Sequence, residues 1–278
     1  MFVPVKRKKK KRSMPVISAG ILLVACGFIL FKGKPKEEPE IPEIPEFSEA
    51  LVVNETKPES LLGSHPESQP TVSANTPQVL KDLAKKNPET VDYVNAWPGN
   101  PSQKVDISGD YIKGQIPHFL QWDLRWGYQF YGGMWPEDYM GLSGCGPTSL
   151  SMVVVGMTGN LSADPGSVAA YAEEAGYATS DNGTMWSLIS EGSRHYGLEA
   201  EEVPLNENDM IAALNRSPII CVVGPGDFTQ SGHFMVLTGY ENGKFTLLDP
   251  NSKSNSEKMW SYERLQDQIL AMWEFSVI

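Results

Sequence analysis

Cys145 sits in Ser143-Gly144-Cys145-Gly146-Pro147-Thr148, a lone cysteine between two glycines at the start of an apolar run that continues to Val155. A thiol reacts as its thiolate, and the N-terminus of a helix, the positive end of the helix dipole, favours that form. Glycines on either side let the backbone turn sharply and let a second molecule come close. Pro147 suits a first helical turn, where a missing N–H costs nothing, and the run from Thr148 to Val155 is apolar enough for a buried helix. Taken alone, the pattern serves two roles equally well: a nucleophile, or a structural cysteine in a core.

A thiolate nucleophile needs a base, and the base needs an orienting partner. Of four histidines, His65 falls in a stretch of low apolar content and His195 in a helical pattern, leaving His118 and His233. His233 follows Gly232 at the mouth of the strand His233–Tyr240, and Asp249 ends the next apolar run, Lys244–Leu248. Whether the two meet depends on register. A two-residue Asn242-Gly243 turn puts Asp249 opposite Val236, on the wrong face. A three-residue Glu241-Asn242-Gly243 loop with a glycine bulge puts it opposite Met235, a diagonal neighbour of His233. The catalytic reading therefore expects the bulged loop. Upstream, Gln121 lies among aromatics in Phe119-Leu120-Gln121-Trp122-Asp123-Leu124-Arg125-Trp126, and its amide suits either an oxyanion or a buried backbone carbonyl. On the second of these readings Asp123 and Arg125 form a surface pair.

The elements that must carry these groups divide by pattern. Helices are expected near Leu80–Ala84, from Pro88, from Pro165 to Glu174 behind an Asp164 cap, after Asn182 through Trp186, Ile189 and Tyr196, and from Glu207 to Asn215 behind Asn206. Strands begin at Ile219–Val223, with Cys221 as core, and continue through the His233 and Lys244 runs. A helix over Tyr262–Ala271 and a last strand close the chain. Helices first and antiparallel strands second indicate an α+β fold, with a helical half carrying the cysteine, a sheet half carrying histidine and aspartate, and a cleft between them.

Composition bounds the rest. Residues 6–12 hold seven of the 23 basic residues, leaving 16 against 34 acidic ones, a net −18 for everything else. Such a chain repels nucleic acid, and the basic run reads as a topogenic signal. Residues 1–13 form a basic cytoplasmic tail. The uncharged residues 14–31 are long enough to cross a bilayer, and positive flanks stay inside, so they read as a transmembrane signal anchor with the main domain extracytoplasmic at the cell membrane. Leu23-Val24-Ala25-Cys26 also resembles a lipoprotein box, and a cleaved secretory signal is the third option. Residues 32–76, rich in proline and glutamate, read as a disordered tether, and residues 77–278 as one domain. With neither His-Glu-x-x-His nor Cys-x-x-Cys, no metal site and no cofactor are expected.

Gln121 with Trp122–Trp126, Cys145-Gly146-Pro147-Thr148, Gly232-His233-Phe234 with Leu237-Thr238-Gly239-Tyr240, and Asp249-Pro250-Asn251 together resemble the stand-alone relatives of the bacteriocin-processing double-glycine leader peptidases. Those are papain-like cysteine peptidases, and the resemblance covers residues 77–278. It implies Cys145 as nucleophile, His233 as base and then acid, Asp249 as orienter of the imidazole, and Gln121 with the Cys145 N–H as oxyanion hole. A peptide or protein substrate follows. The processing peptidases are usually fused to a transporter and act in the cytoplasm, so a Gly-Gly preference does not carry over to this outward-facing chain. Peptidoglycan stem-peptide hydrolysis and a non-catalytic surface binding module are the other readings.

Overall fold

The computed structural model describes residues 72–100, 105–179 and 183–278, all within one unit, Ser64–Ile278. The basic tail, the 14–31 segment with Cys26, and the tether up to residue 71 with His65 lie outside the described residues. Among the described residues no helix is long and apolar enough to cross a membrane.

The chain first builds a small helical layer. Pro77 precedes α1 (Gln78–Lys86), whose Leu80 is fully buried. The Asn87 side chain accepts from the Glu89 N–H and starts a 3₁₀ turn, Pro88–Thr90, that runs into α2 (Val91–Asn95). Leu80, Tyr93 and Val94 pack with Trp122 and Tyr128, and Val72 already joins this cluster. After a 3₁₀ turn, Pro136–Asp138, and a helical turn, Met140–Ser143, comes α3 (Cys145–Thr158), buried from Gly146 through Val155 and ended by Gly159 in the left-handed region. A helix apolar all round belongs in a core. It packs against α4 (Pro165–Glu174) on one side and against the sheet on the other. Asp164 caps α4 through the Ser167 N–H, as its sequence implies.

Between α4 and the sheet the structure departs from the expected helix. Ala178–Thr179 and Gly183–Thr184 form a small antiparallel pair, and only one α turn, Ser187–Ser190, and a 3₁₀ turn, Gly192–Tyr196, follow. Gly192, a poor helix residue, stands at the break. Strand β1 (Leu198–Glu202) was not expected: three of its five residues are glutamate, and it survives as an edge strand. α5 (Glu207–Leu214) is capped by Asn206, as read. The remaining elements are β2 (Ile219–Val223), β3 (His233–Glu241), β4 (Lys244–Leu248), α6 (Lys253–Ser256), β5 (Met259–Trp260) and β6 (Ile269–Val277). The sheet order is β1-β6-β2-β3-β4-β5, antiparallel throughout.

Two expectations are corrected by this sheet. The C-terminal helix is a single turn, Tyr262–Leu265, and Ile269–Ala271 instead enter β6, which lies inside the sheet between β1 and β2. Its two faces serve two cores: Trp273 and Phe275 meet the α3 side, Ile269 and Met272 the α5 side. The β3–β4 hairpin is the second correction. Asn242 and Gly243 both take positive φ, 52° and 77°, and Glu241 pairs with Lys244, so the turn has two residues. The bulge is real but lies farther down the ladder. Leu237 pairs with Leu247 while Gly239 pairs with Thr246, leaving Thr238 as the extra residue. Val236 then pairs with Leu248, and continuing that register sets Asp249 opposite Met235.

Gly243 has open space around the position of a Cβ, so a side chain there meets only backbone strain. Gly243→Val is expected to cost about 1–2 kcal/mol of stability, seen as a lower urea midpoint with an unchanged slope; an unchanged midpoint would contradict the two-residue turn.

Candidate active site

Cys145 is the first residue of α3, with Gly144 before it and Gly146 after it. A Cβ on Gly146 would strike Thr184 at 2.5–2.7 Å, so the close approach of the Gly183–Thr184 pair requires glycine there. His233 opens β3 and Asp249 follows β4, both buried. His233 Nε2–H donates to Asp249 Oδ1 at 2.7 Å. With Nε2 so committed, Nδ1 is the nitrogen left to face the Cys145 thiol, whose ionisation the neighbouring imidazole favours. The structure thus brings Cys145, His233 and Asp249 into one chain of contacts from a helix end and two adjacent strands.

Asp249 is held on every side. Oδ1 also accepts from Asn251 N–H at 2.8 Å, Oδ2 accepts from Asn255 Nδ2 at 2.9 Å, and its own N–H donates to Ser256 Oγ at 2.9 Å. Its carbonyl accepts from His118 Nε2 at 2.9 Å, which fixes the proton on that nitrogen. Sequence reasoning kept His118 as a candidate base without giving it this place, and passed over Asn255 and Ser256. Only the return of the chain after Asp249 brings Asn255 and Ser256 back to it, and no spacing rule marks that return.

Gln121 is placed elsewhere than at the cleft lining. Its N–H donates to Pro250 O at 2.7 Å and its Nε2 to Gly141 O at 3.1 Å, while Oε1 is buried without a hydrogen-bond partner among the described residues. The side chain therefore does satisfy a backbone carbonyl, with one amide N–H still uncommitted. Arg125 pairs with Asp123, and with Asp110 as well. His195 is exposed and stacks on Tyr171.

A cleft of about 730 Å³ opens beside Cys145 and His233. Leu142, Met185, Trp186, Val222, Phe234 and Leu270 give it apolar walls, and among the described residues the only ionisable groups lining it are the thiol and the imidazole. A family model described as the Peptidase_C39 like family matches residues 113–276, which is 164 of the 278 residues. The chain belongs to that family. It is a cysteine peptidase by family, with the α+β fold expected of one.

Three solved structures are similar to this C39-like peptidase. The peptidase domain of Streptococcus ComA, a bifunctional ABC transporter involved in quorum sensing, is 21% identical, with 54% of this chain and 99% of that one covered at a TM-score of 0.40. A double-glycine-motif protease from an AMS/PCAT transporter, in complex with the leader peptide, is 20% identical, with 48% and 84% covered at 0.32. A C39-like peptidase from Bacillus anthracis is 14% identical, with 64% and 99% covered at 0.32. No curated protein sequence matches the chain.

The charges in this C39-like site follow from its contacts. Burial works to raise the Cys145 thiol, but the hydrogen bond and positive charge of His233, with the Phe234 and Gly146 N–H groups, outweigh it and hold the thiol below its ordinary value. Burial works to lower His233, and the carboxylate of Asp249 together with the thiolate raises it well above an ordinary histidine. Burial likewise opposes ionisation of Asp249, and His233, Asn255 and Asn251 reverse that, keeping it below the usual carboxylate range. The arrangement favours a thiolate–imidazolium pair. Cys221, buried in β2 and close enough to feel Asp249, is pushed up to about 12 and stays a thiol.

Alkylation by iodoacetamide should therefore distinguish the two thiols of the described residues. Native protein at pH 6 is expected to label at Cys145 and not at Cys221. Asp249→Asn withdraws the charge that supports the imidazolium, so the half-maximal pH for Cys145 labelling should move upward. Equal labelling of both thiols, or no shift in the variant, would contradict the ion pair.

Proposed function

We propose that this C39-like chain hydrolyses peptide bonds through Cys145, His233 and Asp249, by a thioester intermediate, and that it does so outside the cytoplasm on a membrane anchor. The contact of His233 with both Cys145 and Asp249, at the edge of an open cleft, is the observation that carries the reading. The Cys145 thiolate attacks the scissile carbonyl carbon, and the carbonyl π pair moves to oxygen. The Cys145 backbone N–H receives the oxyanion, joined by the uncommitted N–H of the Gln121 amide once that buried side chain turns from Gly141 toward the cleft. His233 passes its proton to the leaving nitrogen as the C–N bond breaks, leaving an acyl thioester. His233 then takes a proton from water, hydroxide adds to the thioester, and collapse returns the thiolate and a carboxylic acid.

The neutral, mainly apolar walls that the described residues give the cleft support a peptide with apolar side chains beside the cleaved bond over a charged one. The anchor rests on sequence: a seven-residue basic run followed by eighteen uncharged residues. Comparison of protein N-termini in culture supernatants of cells carrying wild type or Cys145→Ala tests both parts. New N-termini next to apolar residues that vanish with Cys145→Ala are expected, and an unchanged set would sink the proposal. Gln121→Ala should lower kcat by about 10²–10³-fold with KM little changed; a variant that melts earlier yet keeps its kcat would assign Gln121 to the Gly141 carbonyl alone.

A further inference from the structure

We infer that Glu89, on the N-terminal helical layer, is a positioning residue that clamps the loop Pro250–Ser256 and thereby holds Asp249 against His233. The inference rests on the catalytic reading above and extends it to a part of the chain ahead of residue 113, where the family model begins.

The loop after β4 has a mechanical task. It must turn back over Asp249 within a few residues and deliver Asn255 Nδ2 to Oδ2 and Ser256 Oγ to the Asp249 N–H. Its only regular piece is α6, four residues long, too short to be stable by itself and with N–H groups that need acceptors from outside. Glu89 supplies them. One carboxylate oxygen accepts from Ser252 Oγ at 2.9 Å and Ser254 N–H at 3.2 Å, and the other accepts from Lys253 N–H at 2.8 Å. Ser252 Oγ, held in this way, caps the Asn255 N–H at 3.2 Å. Every link from Glu89 to Asp249 is thus a hydrogen bond within distance: Glu89 to Ser252, Ser252 to the Asn255 backbone, and the Asn255 side chain to the carboxylate.

The neighbouring residues strengthen the clamp. Asn87 Oδ1 accepts from the Glu89 N–H at 3.1 Å, and Asn87 Nδ2 donates to Asn251 O at 2.6 Å. The same carbonyl accepts from Trp122 Nε1 at 3.0 Å. Burial of the Glu89 carboxyl opposes its charge, but the N–H and hydroxyl donors of residues 252–254 hold it below the usual carboxylate range, so it is ionised at neutral pH. A carboxylate with its acceptor sites filled by one loop, more than 160 residues away in sequence, ties two distant parts of the chain together. An ordinary surface helix cap would bond its own helix.

The test uses the full chain with Glu89→Ala and Glu89→Gln. Three quantities are read: the pH profile of Cys145 alkylation by iodoacetamide, kcat and KM on a peptide recovered from the N-terminus comparison, and the melting temperature. Glu89→Ala is expected to lower kcat by about tenfold to a hundredfold through misplacement of the orienting carboxylate. KM should be unchanged and the half-maximal pH for alkylation should rise. Glu89→Gln keeps one acceptor oxygen and should lose less on both measures. A folded Glu89→Ala protein with wild-type kcat and an unmoved alkylation profile would overturn the role, as would a loss of activity that only tracks the unfolded fraction. Absence of selective Cys145 alkylation in the wild type would instead overturn the catalytic reading on which the role depends.

Discussion

The buried hydrogen bond from His233 Nε2 to Asp249 Oδ1 is the contact on which the rest of the site depends. Burying two ionised groups is costly, and their attraction offsets that cost only where further hydrogen bonds complete the carboxylate. Asn251 and Asn255 do so here. The pH consequences have opposite signs for the two partners. His233 is raised in the fold, so its contribution to stability is complete below its unfolded value near 6.5 and fades as pH rises through its folded one. Asp249 is lowered, so its contribution is present above its unfolded value near 3.8 and fades as pH falls through its folded one. Between those limits the pair is charged, and the same charge supports the thiolate.

That bond exists only because of where the β3–β4 ladder slips. Asn242-Gly243 suits a tight turn in which both central residues take positive φ, and the chain adopts it. A regular ladder from that turn would put Asp249 on the far face. The apolar pattern forbids it: Leu237 and Tyr240, three residues apart, both pack into the cluster that holds Phe245 and Leu247. Strand side chains alternate with a period of two, so an odd spacing on one face requires an extra residue between them. Thr238 is that residue. Its hydroxyl shares a hydrogen bond with Thr246, and Gly239 follows it, where a Cβ would stand 3.1 Å from Thr246 Oγ1. The need for a bulge was legible from the facing requirement of His233 and Asp249. Its position was legible too, in the Leu237–Tyr240 spacing, but glycine next to a turn drew the expectation to the wrong end of the hairpin.

Other parts of the fold divide along the same line between local signal and tertiary context. The capped helices α4 and α5 and the strand β2 fall where the sequence places them, since Asp164, Asn206 and a run of five buried residues are local signals. The segment Ile269–Phe275 has apolar groups on both faces, because β6 lies between two cores, and such a run is compatible with a buried helix or a buried strand. β1 is hidden by its glutamates, which an edge strand tolerates and a central one would not. At the site, Cys145, His233 and Asp249 carry readable signals of glycine, strand end and acid. The groups that fix Asp249, namely His118, Asn255 and Ser256, are ordinary polar residues whose meaning arises only when the chain folds back.

A thiolate–imidazolium pair gains from apolar surroundings only if its own partners are rigid. Among the described residues the walls of the cleft beside Cys145 are neutral, which leaves the attraction between thiolate and imidazolium little screened. The same surroundings would drive both groups to their neutral forms if the Asp249 charge were lost or displaced. Hence the support behind Asp249 is as much part of the chemistry as the cleft in front of Cys145. It comes from three separate places: His118 and Gln121 bond the backbone of Asp249 and Pro250, Trp122 and Asn87 bond Asn251, and Glu89 bonds residues 252–254. Residues ahead of α3, Glu89 from a 3₁₀ turn and the others from the turns and loops around it, thereby grip a loop of the sheet from behind while α3 presents the thiol from in front. The two halves of the fold meet at His233, and what each contributes there has a fixed direction: the helix N-terminus favours the anion, and the clamped carboxylate favours the cation.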